Sequence, residues 1–170
     1  VKPYSQAKIQ SRIEIYSKPS QFDQAFKDAG QKYGLDWREL KLRASVESGI
    51  NPKATNTESG AIGLMQFMPE TAKGLGIDPS DPLQAIDGAA RLMSKFKGDT
   101  AAMDLNYYGG PDQKKWGKNT KQYAANMEAL RYATGIKEAP PIVQMPNVEK
   151  ADLPPEFKLL STEKQLQLMN

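Results

Sequence analysis

Between Ser20 and Gly135 the apolar positions recur at helical spacing, divided by caps and breakers into a series of short helices. Ser20 is a favourable N-cap, and behind it Phe22, Phe26, Ala29 and Tyr33 share one face of a helix that Gly34 ends. Asp36 starts the next helix, with Glu39 three residues on in the spacing of a capping box. Its apolar face reads Trp37, Leu40, Ala44 and then Glu47, so a carboxylate takes the fourth place in a buried stripe. Gly49 and Pro52 close this helix and leave Glu47 in its last turn. The stretch up to Pro69 is rich in Asn, Thr, Ser and Gly and predicts a small hairpin or irregular ribbon. Pro69 opens a short helix through Leu75, and Asp81-Pro82 opens another with the stripe Leu83, Ile86, Ala90, Met93 and Phe96. Asp99 caps a helix reaching Tyr107, and a last one runs from about Thr120, with Tyr123, Met127 and Leu130 inward, to Gly135.

The ends read differently. Residues 1–19 carry Lys2, Lys8, Arg12 and Lys18 among alternating polar and apolar positions, without the continuous apolar centre of a secretory signal. Pro140, Pro141, Pro146, Pro154 and Pro155 favour an extended connector, and Thr162 with Gln165 suggests a short helix over Ser161–Asn170. The expected division is an N-terminal extension (1–19), a helical domain (20–135) and a Pro-rich tail (136–170). All the core-building stripes are assigned to the middle segment, which is expected to fold and act alone. The Val start and the fresh helix after a connector suggest a piece of something longer.

A chain of 170 residues can bury one proper core. Its 23 basic and 20 acidic residues are too balanced to argue for nucleic acid as the main partner. Lys114, Lys115, Lys118 and Lys121 form one local cluster, for which a solvated loop is the simpler reading than a contact with an anionic polymer. No apolar run approaches the roughly 18 residues needed to span a bilayer.

The chain has no His and no Cys, which removes Ser-His-Asp and Cys-His nucleophile systems, Cys- or His-rich zinc sites and disulfides. Acid–base chemistry must fall to carboxylates, Lys or Tyr. Glu47 is the first candidate, because the negative end of a helix dipole and apolar neighbours both favour its protonated form. Position alone also allows a carboxylate that bends out to water.

The surrounding residues carry a resemblance. Glu47-Ser48-Gly49-Ile50-Asn51-Pro52-Lys53-Ala54 is followed by Gly60-Ala61-Ile62-Gly63-Leu64-Met65-Gln66-Phe67-Met68-Pro69, then by Thr71-Ala72 and Gly76. In order and spacing this resembles the soluble lytic transglycosylases, a branch of the lysozyme superfamily. Tyr107-Tyr108-Gly109-Gly110-Pro111 matches less closely, because the family usually has Asn where Tyr108 stands. That departure puts the Asn's saccharide contact in doubt. Tyr123 matches a Tyr at the start of the last core helix, and the resemblance covers roughly Phe22 to Gly135.

The resemblance implies a mostly α-helical, lysozyme-like fold with a small ribbon beside the active-site cleft, and no cofactor. Glu47 would protonate the glycosidic oxygen between N-acetylmuramic acid and N-acetylglucosamine. It would then take the proton of the muramoyl 6-hydroxyl and leave a 1,6-anhydro end. Ser48, Met65 and Gln66 would line the cleft, although Met65 suits packing better than contact. Tyr107 and Tyr123 would orient the Glu or pack a sugar, with core packing an equal alternative for each. Glu58 opens a rival: from its loop it could activate water and make the enzyme a hydrolytic muramidase, although an exposed loop Glu is the simpler reading. The expected partner is the peptidoglycan strand, met in the periplasm or cell wall. A phage virion with other virion proteins and an exported bacterial enzyme are both suitable carriers, and a structural ejection component is the non-enzyme alternative.

Overall fold

The computed structural model describes residues 2–96 and 98–137. Among them are seven α-helices: α1 (Gln6–Ser17), α2 (Asp23–Tyr33), α3 (Trp37–Glu47), α4 (Pro69–Leu75), α5 (Pro82–Met93), α6 (Thr100–Gly109) and α7 (Lys118–Thr134). The expected mostly helical, lysozyme-like class is what the chain adopts. The helix starts follow local chemistry. Asp36, Asp81 and Asp99 each accept backbone N–H groups from the first turn of α3, α5 and α6, and Pro69 and Pro82 sit at N1. Gly34 and Gly135 end α2 and α7 in the left-handed conformation. The predicted ribbon is present as two isolated antiparallel bridges, Thr55 with Ile62 and Ile62 with Phe67.

The centre of the molecule is α3, which packs against α1, α2, α5 and α7. Every residue from Glu39 to Val46 is buried, so the single apolar stripe read from the sequence is only one side of a fully enclosed helix. One core lies between α2, α3, α5 and the ribbon, built on Phe26, Leu40, Leu64, Ile86 and Met93. The other lies between α3, α7 and α1, built on Ile9, Leu42, Val46, Tyr123, Met127 and Leu130.

Two expectations change here. The N-terminal segment contributes to the packing through part of its length. Residues Gln6–Ser17 form α1, Ile9 belongs to the second core, and Arg12 Nη1 donates to the Ser45 carbonyl at 2.7 Å. Ile9, Ile13 and Tyr16 recur at helical spacing on α1 and pack in or against the second core, a signal masked by the alternation of polar and apolar positions. The stripe of α5 is also narrower than predicted: Leu83 is 60% exposed, while Ile86, Ala90 and Met93 are enclosed. The suggested terminal helix at Ser161–Asn170 lies outside the described residues.

Buried charge ties the helices together. Arg43 on α3 gives Nη2 to Asp104 of α6 at 2.6 Å, and Arg131 on α7 reaches both oxygens of the same carboxylate at 2.6 and 2.8 Å. Arg131 Nε also donates to Glu39 at 2.7 Å, so the predicted capping-box partner spends its carboxylate across the core instead. Lys41, also buried, pairs with Asp23 at 2.9 Å and donates to the Lys18 carbonyl, which fastens the α1–α2 link.

Replacing Asp104 with Ala strands two enclosed guanidinium groups and is expected to cost about 3–5 kcal/mol in chemical denaturation. Gly63 is a second sensitive point. Its φ is +80°, and a Cβ there would stand 2.0 Å from the Pro79 carbonyl oxygen. Gly63→Ala is therefore expected to lose roughly 3 kcal/mol, read as a lower denaturation midpoint with an unchanged slope.

Candidate active site

The last turn of α3 places Glu47 where it meets α7. Tyr123 on α7 donates its hydroxyl to Glu47 Oε1 at 2.5 Å, and Arg43 Nη1 donates to the same Tyr oxygen at 3.0 Å. Among the described residues those are the two polar neighbours of the Tyr123 hydroxyl. Arg43 can only give hydrogen bonds, so the single Tyr proton is directed at Glu47. Burial pushes the Glu47 carboxyl above the ordinary carboxylate range. The Tyr123 hydrogen bond and the charges of Arg43 and Arg12 pull it back without cancelling that effect. Taken over the whole residue Glu47 is half-buried, at the end of an otherwise enclosed helix.

The other predicted residues divide into two groups. Tyr107 lies with its ring 4.6 Å from the Arg43 guanidinium and donates its hydroxyl to the Met65 carbonyl at 2.8 Å. It therefore braces the Arg rather than touching Glu47 by a hydrogen bond. Burial raises the proton affinity of both tyrosines, which stay neutral donors over the ordinary pH range. Gln66 holds a left-handed backbone (φ 51°), and its Nε2 donates to the Ala54 and Gly63 carbonyls at 3.2 and 2.9 Å.

Ser48 and Met65 serve the fold. The Ser48 hydroxyl donates to the Leu64 carbonyl at 2.7 Å and accepts from the Asn51 N–H, which locks the end of α3 to the ribbon. Met65 corrects the expectation of a cleft-lining side chain. It is 0% exposed within the first core, so only its carbonyl, held by Tyr107, takes part in the site. Glu58 stands exposed in a turn that the Asn56 side chain organises through the backbone N–H groups of Glu58 and Ser59.

Sequence reasoning passed over three contributors. Arg43 and Glu47 are four residues apart and so share a helical face, and Asp104 and Tyr107 are three apart on α6. Those spacings were the available signal. Tyr108, noted only as a departure from the family pattern, is 44% exposed and stacks on Tyr123 with ring centroids 4.7 Å apart. Its ring extends the aromatic surface beside Glu47 to solvent.

Comparison with known proteins gives a consistent result. Over 99 residues the chain is 42% identical to a transglycosylase of Enterobacteria phage PRD1, covering 56% of this chain and 37% of that one. Over 104 residues it is 35% identical to the peptidoglycan transglycosylase gp16 of Escherichia phage T7, covering 54% of this chain and 8% of that one. A membrane-bound lytic murein transglycosylase F of Alkalilimnicola ehrlichii is 39% identical over 72 residues, covering 42% of this chain and 14% of that one. The chain thus spans well under half the length of each of these relatives. The family described as the transglycosylase SLT domain matches residues 24–128, from the first turn of α2 into the last part of α7. With that match running over more than half of its length, the chain belongs to the transglycosylase SLT domain family.

Proposed function

We propose that this chain cleaves the β-1,4 bond between N-acetylmuramic acid and N-acetylglucosamine in peptidoglycan as a lytic transglycosylase, with Glu47 as its acid and base. The observation that carries this reading is the Tyr123–Glu47 hydrogen bond with Arg43 behind it. It fixes the orientation of one carboxyl and favours its carboxylate form, while burial raises the proton affinity of the same group, as a group that must first donate and then accept a proton requires.

In the first step Glu47 gives its proton to the glycosidic oxygen as the bond to the anomeric carbon of the muramoyl unit breaks. The Tyr123 donor stabilises the carboxylate that this leaves. In the second step the muramoyl 6-hydroxyl oxygen bonds to that carbon and its proton returns to Glu47. No water is consumed and the carboxyl is regenerated. A second carboxylate is dispensable because the nucleophile belongs to the substrate. The exposed Tyr108 ring offers a face to a sugar, and the Oε1 of Gln66 offers an acceptor to a hydroxyl group. Delivery to the cell wall by a phage particle, alongside other virion proteins, is the finer reading, supported by the two phage relatives. Detection of the chain in purified particles tests it.

Glu47→Gln is expected to keep the fold and to lower muropeptide release by about 100- to 10,000-fold. Mass spectrometry of wild-type digests should find 1,6-anhydromuramic ends. Reducing muramic ends, together with loss of turnover in Glu58→Gln, would establish hydrolysis instead.

The pH dependence has a definite sign. Glu47 works first as an acid, so the rate falls as pH rises through its raised value. Tyr123→Phe removes a donor that favours the carboxylate. Its alkaline limb is therefore expected at higher pH than in the wild type, with a lower maximal rate, in a pH profile of kcat/KM.

A further inference from the structure

We propose that the N-terminal segment is a working part of this active site, with Arg12 as a positioning residue that seats on the last turn of α3 and holds the charge that this turn presents to Glu47. The proposal rests on the reading of Glu47 as the acid and base. Residues 2–23 lie outside the span matched by the family, so nothing in that match assigns them a role.

Three observations place the segment at the site. Arg12 Nη1 donates at 2.7 Å to the carbonyl of Ser45, two residues before Glu47 and among the carbonyls that a helix end leaves without an intrahelical partner. The α1 backbone is held on both helices of the pair. Ile9 packs with Val46 of α3 and with Tyr123 and Met127 of α7. Ahead of α1, the Tyr4 N–H donates to Asn126 Oδ1 at 3.1 Å, and Asn126 Nδ2 donates to the Lys2 carbonyl at 3.0 Å. Asn126 is three residues after Tyr123, so the segment grips α7 beside the Tyr as it grips α3 beside the Glu. Gly49, in the left-handed conformation (φ 68°), lies beside this contact, 3.6 Å from Arg12 Nη1 and 3.8 Å from Ile15 at the place a Cβ would occupy.

A cation at the C-terminal end of a helix offsets the negative end of its dipole, and here it does so in the turn that carries the carboxyl. The groups facing Glu47 are Tyr4 from the N-terminal segment, Arg12 from α1, Arg43 from α3, Tyr107 from α6 and Tyr123 from α7. Asp104 partly spends the charge of Arg43, whereas Arg12 is bound to a neutral carbonyl and keeps its charge unshared among these contacts.

The test is Arg12→Gln in the full chain, read by carbon NMR titration of the Glu47 carboxyl and by the pH profile of turnover. The Glu47 midpoint should move to higher pH, and the ratio of activity at about pH 8 to that at about pH 6 should rise roughly threefold. Arg12→Lys should return both toward the wild type. Arg12→Met, which keeps the apolar stem, is read in the same way where the Gln variant does not fold. A folded variant whose Glu47 titrates as in the wild type would overturn the proposal, whatever its melting temperature. The NMR midpoint reports the carboxyl without turnover. A midpoint that moves while the rate profile does not would therefore count against Glu47 as the acid and leave the Arg12 contact standing.

Discussion

An arginine side chain cannot shed its charge when water is removed, and Arg43 is fully enclosed in the middle of this protein. Isolating such a group costs several kcal/mol, so the fold must bring it partners. Asp104 supplies the opposite charge from α6, Tyr123 supplies an acceptor from α7, and the Tyr107 ring covers the guanidinium. Asp104 is shared between Arg43 and Arg131, and Glu39 supplies Arg131 with a second carboxylate. Two cations and two anions therefore lock α3, α6 and α7 in one register, since sliding any helix would leave a charge unmatched.

The residues that most resemble a recognition motif act largely through their backbone. Gly63 allows the chain to pass against the Pro79 carbonyl, and Leu64 and Met65 bury their side chains. What those two residues show to the site is their carbonyl oxygens, one receiving Ser48 and the other Tyr107. The ribbon is thus a brace that fixes the end of α3 on one side and the tyrosine of α6 on the other. Gln66, in its left-handed conformation, ties its amide Nε2 into that frame and leaves its Oε1 without a bond in it.

Much of this was legible from spacing. Caps at Asp36, Asp81 and Asp99 and stops at Gly34 and Gly135 located the helices, because each acts on its own neighbouring turn. Glu47 stood out because a carboxylate had replaced an apolar residue in a stripe. The buried ion pairs were not legible, since Arg43 and Asp104 meet across 61 residues and a charged residue in a helix ordinarily reads as exposed. The packing of α1 was partly legible, since Ile9, Ile13 and Tyr16 recur at helical spacing, but the polar contacts of Arg12 with Ser45 and of Asn126 with Lys2 leave no pattern in the sequence. For Met65 the packing reading was already the better suited one, but the use of its carbonyl as the acceptor for Tyr107 was not legible.

The one-way hydrogen bond from Tyr123 makes the two oxygens of Glu47 chemically unequal. Oε1 is already an acceptor, facing a hydroxyl that has nowhere else to send its hydrogen. In the neutral carboxyl the acidic proton must therefore reside on Oε2, and Oε1 takes the part of the carbonyl oxygen. A carboxyl free to rotate would spread its proton over both oxygens and several orientations. In the proposed reaction this one would deliver it from a single atom, Oε2, and take it back at the same place. The direction in which this carboxyl can offer a proton is thus set before any ligand arrives, by a tyrosine 76 residues away in the chain.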